Sequence, residues 1–96
     1  MSSDFNRMYR SVVGLLRVKV EKVKDSLHYL TNPRCLNELC VPQSVYEDAT
    51  TTKDLLNRLC PMYVNPENTF VLEEIVNEFG SRRCKEVLKD YIDKYF

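Results

Sequence analysis

The sequence predicts an all-α domain, a compact antiparallel bundle of five or six helices, on three observations. Apolar side chains recur at steps of three and four residues at both ends of the chain, no segment alternates apolar with polar residues as a half-buried strand does, and prolines with Asn, Ser and Thr punctuate the middle. The chain length of 96 residues fits one domain spanning 1–96. A chain of this size buries roughly 60 to 70% of its unfolded surface, enough for one core without disulfide or metal support.

The first thirty residues carry Phe5, Tyr9, Val12, Leu16, Val20, Val23, Leu27 and Leu30 on one stripe. Ser2 or Ser3 caps its start, and Pro33 forbids continuation because the residue before a proline is pushed out of the helical region. Gly14 costs a helix about 1 kcal/mol relative to Ala, so the stripe reads either as one long helix or as two with a bend near the middle. Asn32 and Pro33 then open a short helical segment to Cys40 with Leu36 and Leu39 on one side, and Val41 and Pro42 end it. Ser44 and Glu47 have capping-box spacing around Val45, Tyr46 and Ala49. Thr51 and Asp54 repeat that logic before Leu55, Leu56, Leu59 and Cys60, which Pro61 terminates.

In the last third, Asn65 with Pro66 at the first helical position predicts a helix bearing Leu72, Ile75, Val76 and Phe79, ended by a left-handed Gly80. Ser81 restarts a final helix with Cys84, Val87, Leu88, Tyr91, Ile92 and Tyr95 on one face. A joint of one or two residues makes these two helices pack on each other. No repeat of 20 to 50 residues and no linker divides the chain.

Little in the chain suggests catalysis. His28, the only histidine, is seven residues from Cys35, but Pro33 interrupts the helix that would hold the pair together, so a surface imidazole is the simpler reading. Cys35, Cys40, Cys60 and Cys84 lack the two close pairs of a structural zinc site, and they read as reduced, partly buried thiols. Leu56 and Leu59 give Cys60 core surroundings that make a thiol inert. Glu73 and Glu74 flank an apolar stripe as a solvated surface would, and two isolated glycines exclude a phosphate-binding loop. No cofactor, metal or small-molecule substrate is expected. Tyr63 and Phe70 lie in an acidic stretch, where single-strand stacking has no basic groove to use.

Met1 to Arg10 contains no apolar leader segment, the sequence holds no Asn-x-Ser/Thr acceptor, and no apolar run approaches the roughly 20 residues of a membrane span. A reducing, cytoplasmic setting without membrane insertion is the expectation.

Charge is the informative property. Fourteen basic residues balance fourteen acidic ones, which argues against general nucleic-acid binding. The balance is uneven along the chain: residues 1–40 carry seven basic against four acidic side chains, 41–80 two against seven, and 81–96 five against three. The net charges are +3, −5 and +2. If the terminal helices share one side, the domain presents an acidic face, with Asp54, Glu67, Glu73, Glu74 and Glu78, and a basic face, with Arg7, Arg10, Arg17, Arg82 and Arg83.

A chain of this length with a long first helix, continuous or bent, short middle helices set off by Pro and Thr, and an amphipathic closing pair resembles the death-fold superfamily. The likeness is carried by Thr51, Asp54-Leu55-Leu56 and Leu59, by Asn65-Pro66, by Leu72-Glu73-Glu74-Ile75-Val76, and by the helix of Leu88 and Tyr91. The core tryptophan common in death domains is absent, and Lys53-Asp54-Leu55 only echoes the Arg-x-Asp-Leu signature of death-effector domains. A death-like or caspase-recruitment-like domain is the remaining assignment. That resemblance implies homotypic association with itself or with other death-fold domains, often in helical assemblies, in innate immune or cell-death signalling. A contact between two different patches propagates unless its rotation closes a ring.

On this reading Glu74→Lys weakens assembly and Arg82→Glu partly restores it. The alternative is a monomeric helical adaptor that takes an amphipathic peptide in an apolar groove, with Met62, Tyr63 and Phe70 as candidate contacts. A cysteine-based zinc module is the third class, and metal-dependent folding would be its mark.

Overall fold

The computed structural model describes residues 3–30 and 41–96. Among these residues the chain forms six helices and no strand: α1 (Ser3–Leu15), α2 (Val20–Leu30), α3 (Gln43–Tyr46), α4 (Thr52–Leu59), α5 (Phe70–Phe79) and α6 (Arg82–Tyr95). The segment Pro33 to Cys40, with Cys35 and Cys40, lies outside the described residues.

The N-terminal stripe is carried by two separate helices rather than one. Residues 16–19 are not helical. The amide of Leu16 closes α1 on the Val12 carbonyl at 3.0 Å, and those of Lys22 and Val23 open α2 on the Lys19 carbonyl. Leu16 and Val20 are both buried, so the stripe crosses the gap intact. The break frees the Val18 carbonyl, and the Thr52 hydroxyl at the start of α4 donates to it at 2.6 Å. A tertiary hydrogen bond thus replaces a helical one.

Phe5, Val12, Val23 and Leu27 are fully buried and meet Leu55, Leu56 and Leu59 of α4, Val71, Leu72 and Ile75 of α5, and Cys84 of α6 in one core. Each such aliphatic side chain contributes about 1.5 to 3 kcal/mol by leaving water. Helix α1 packs chiefly on α6 and α4, while α5 packs on α6. Along the first interface, Asp4 meets Lys94 and Tyr95, Phe5 meets Tyr91, and Val12 meets Cys84. Residues that rise in α1 fall in α6, so these two helices run in opposite directions.

Two of the expected caps form. The Thr51 hydroxyl accepts from the Asp54 amide at 3.0 Å, and the Ser81 hydroxyl accepts from the Cys84 amide at 3.2 Å. The Ser44 and Glu47 capping box does not form, because α3 starts two residues early, at Gln43, behind Pro42. Ser44 is then the second residue of the helix and not its cap.

Asn65-Pro66 does not start α5. The Asn65 side chain accepts from the amides of Glu67 and Asn68 at 2.9 and 3.0 Å, which closes a turn, and α5 begins at Phe70. Val64 is fully buried and anchors this connection to the core. Gly80 ends α5 as expected, but at φ −75° and ψ 147° it is extended, not left-handed. Glycine is required there for space: a Cβ would lie 2.5 Å from the Val76 carbonyl oxygen. Tyr95, expected on the inner face of α6, is 46% exposed because its hydroxyl turns outward to Asp4.

Candidate interaction surface

The charged residues singled out by the sequence fall into two groups, those neutralised within the chain and those left facing solvent. Asp54 belongs to the first. It lies on α4, one turn before Arg58, and pairs with it at 3.0 Å. Arg58 also pairs with Asp48 and reaches the Val45 carbonyl, so it ties the α3 connection to α4. Its guanidinium holds the Asp48 carboxyl below the usual carboxylate range. The Asp54–Arg58 pair has i,i+4 spacing and was legible in the sequence. It removes Asp54 from a free acidic face.

Glu73 is half-buried and accepts from the Thr69 hydroxyl at 3.1 Å across the first turn of α5. It also borders a shallow depression between α5 and α6 whose apolar floor includes Val76, Leu88 and Ile92 and whose rim includes Lys85 and Lys89. Glu78 accepts from the Ser26 hydroxyl at 2.7 Å and lines a second depression with Lys22, Asp25 and Phe79, at the seam of α2 and α5. Glu67, in the turn before α5, and Glu74, on its outer face, are exposed, and neither carboxylate is engaged in an ion pair among the described residues.

Among the basic residues, Arg82 pairs with Glu86 one turn along α6 at 3.4 Å while remaining almost wholly solvated, a geometry of little energetic weight. Arg83 is exposed beside it, and Arg17 is exposed in the gap between α1 and α2. Arg7 and Arg10 come together: with Ser3, Asn6 and Ser11 they line a shallow depression on the outer side of α1, opposite buried Phe5, Met8, Tyr9 and Val12. Arg7, Arg10, Arg17 and Arg83 form no salt bridge among the described residues. The basic set therefore divides into an α1 pair and a group near the start of α6, whose Cys84 thiol faces the Val12 carbonyl.

Sequence reasoning missed the cluster that joins the chain ends. Asp4 accepts from Lys94 at 3.2 Å and from the Tyr95 hydroxyl, which together hold its carboxyl below the ordinary value, the tyrosine contributing most. Ninety residues separate the partners, and no local pattern could pair them.

Cys35, which the sequence offers as a partner for His28, lies outside the described residues. His28 is exposed on α2. Burial pushes the thiols of Cys60 and Cys84 up, away from the reactive thiolate. Among the described residues no three of His, Cys, Asp and Glu are grouped to hold a metal ion, and no helix is long and apolar enough to cross a membrane. Of the proposed groove residues, Met62 and Phe70 are 76% and 57% exposed and Tyr63 is half-buried. Comparison of the chain with protein-family models, with curated proteins and with solved structures returns no match.

Proposed function

We propose that this chain is a non-enzymatic interaction domain that associates with copies of itself, or with related domains, by matching an acidic face to a basic one. The observation that carries this reading is exposed charge of opposite sign on different parts of the surface that forms no salt bridge among the described residues: Arg7 and Arg10 on α1 against Glu67 and Glu74 at α5. Asp54 and Arg82 form salt bridges, and among the described residues these four form none.

The death-fold assignment belongs to the same proposal, with an antiparallel six-helix bundle of that type. It is supported by the broken first helix, the short α3 and α4, and the opposed α1 and α6. Two unlike patches on one molecule produce a heterologous contact, which extends into a helical assembly when it does not close. Such assemblies serve as recruitment platforms in innate immune and cell-death signalling, which is the role proposed here for a cytoplasmic protein. The second reading, an adaptor for an amphipathic helix, draws on the depression floored by Val76, Leu88 and Ile92.

Sedimentation velocity over a wide concentration range at low and high salt separates the two. Self-association that weakens as salt rises supports the charged faces, since exposed charges are screened over roughly 8 to 10 Å at physiological ionic strength. A monomer at every concentration and salt level rejects them.

A further inference from the structure

Phe70 is a large aromatic side chain left 57% exposed at the first position of α5, whose other outward residues are polar. Glu74 lies one turn further on the same face, and Glu67 sits in the turn just before it. The result is an exposed aromatic knob with an exposed acidic residue on either side of it in sequence. On α1, Ser3, Asn6, Arg7, Arg10 and Ser11 form a stripe at i, i+3, i+4, i+7 and i+8, in which two guanidinium groups are flanked by small hydroxyl side chains. Gly14 extends that stripe, and a Cβ there would meet nothing within 4 Å, so no contact among the described residues demands a glycine.

From this complementarity we infer that Phe70 of one molecule seats in the α1 depression of a second copy, its ring against Arg7 and Arg10, with Glu67 and Glu74 meeting the same arginines. The inference rests on the self-association proposed above and names its contact. Arginine stacks on aromatic faces and forks onto carboxylates, so one pair of side chains serves both the knob and its flanks. Aromatic and arginine side chains are also those that dominate binding energy at interface centres. Both patches cannot be satisfied within one molecule, because α1 packs on α6 and α4 while α5 packs on α6, and the two stripes face outward. Each molecule then offers one knob and one seat, and the contact repeats head to tail.

A mixing experiment tests this. Phe70→Ala removes the knob and keeps the seat, whereas the double variant Arg7→Glu with Arg10→Glu removes the seat and keeps the knob. All substituted side chains are exposed, and circular dichroism with thermal melts verifies that each variant folds; Phe70→Ser serves as a second knob variant. Sedimentation is expected to show each variant alone associating roughly tenfold or more weakly than the natural chain, and an equimolar mixture of the two giving a heterodimer that stops at two copies. If Phe70→Ala and Phe70→Ser assemble like the natural chain and that assembly stays salt-sensitive, the seat is wrong while the charged faces stand. If the natural chain itself stays monomeric throughout, both readings fall.

Discussion

Replacing Tyr9 by Phe removes one oxygen from the interior and tests how α4 is held. Tyr9 is buried, and its hydroxyl donates to the carbonyl of Leu56, 47 residues away. Leu56 is among the last four residues of α4, whose carbonyls have no donor within the helix. Phe fits the same space but leaves this acceptor unpaired in the core, which costs about 1 to 3 kcal/mol. For a domain of this size each kcal/mol moves the melting temperature by about 4 to 8 °C, so the variant is expected to melt roughly 4 to 24 °C lower.

Urea titration gives an independent value, with the midpoint falling and the slope unchanged. The pH dependence adds a signature. Burial raises the Tyr9 hydroxyl well above its ordinary pKa, so its contribution is complete below the unfolded value of about 10 and is lost as pH rises beyond it. The alkaline loss of stability is therefore shallower in Tyr9→Phe. A variant as stable as the natural chain at neutral pH would refute the role given to this hydrogen bond.

Gly80→Ala brings a Cβ to 2.5 Å from a backbone oxygen and is expected to destabilise by about 1 to 3 kcal/mol, whereas Gly14→Ala, with open space around it, is expected to be neutral or to stabilise by up to about 1 kcal/mol; parallel thermal melts compare them. Thr52→Val removes the donor to the Val18 carbonyl and should lower the urea midpoint by the equivalent of about 0.5 to 1.5 kcal/mol. Asp4→Asn addresses acid stability: the folded Asp4 carboxyl titrates below its unfolded value, so its contribution is present above roughly pH 4 and disappears as pH falls through the lower folded value. The variant's acid unfolding curve is expected to be flatter, and an unchanged curve contradicts the assignment.

Helix identity was legible in the sequence wherever periodicity was long. Phe5, Tyr9, Val12, Leu16, Val20, Val23 and Leu27 were predicted on one stripe, and all are buried. The break at 16–19 was left open because Gly14 lowers helix propensity without deciding where a helix stops. What decides it is tertiary: Thr52 supplies the replacement partner for Val18, and that contact has no local signature.

Asn65-Pro66 shows the limit of cap rules. Its composition suits a helix start as well as a turn, and the buried Val64 and Thr69 on either side fix the turn. Met8 was passed over in the sequence although it is 5% exposed, because Phe5 and Tyr9 already accounted for the stripe around it.

The charged surface was legible as a census and not as geometry. Counting shows that acidic residues concentrate between 41 and 80, but Asp54 pairs with Arg58 and Glu78 accepts from Ser26 within the same molecule. Local spacing reveals the first pair, and only folding reveals the second. The proposed faces therefore narrow to Arg7, Arg10, Glu67 and Glu74, with Arg82 and Arg83 at the start of α6 and Arg17 in the gap between α1 and α2.

Sedimentation equilibrium on a reciprocal charge exchange tests the proposed function most directly. Glu74→Arg and Arg10→Glu each place like charges at the proposed contact, and each is expected to reduce self-association at low salt. The chain carrying both substitutions restores opposite signs in reverse and is expected to recover a substantial part of it. Additive loss in the double variant, with folding intact by circular dichroism, would contradict association through this pair of faces.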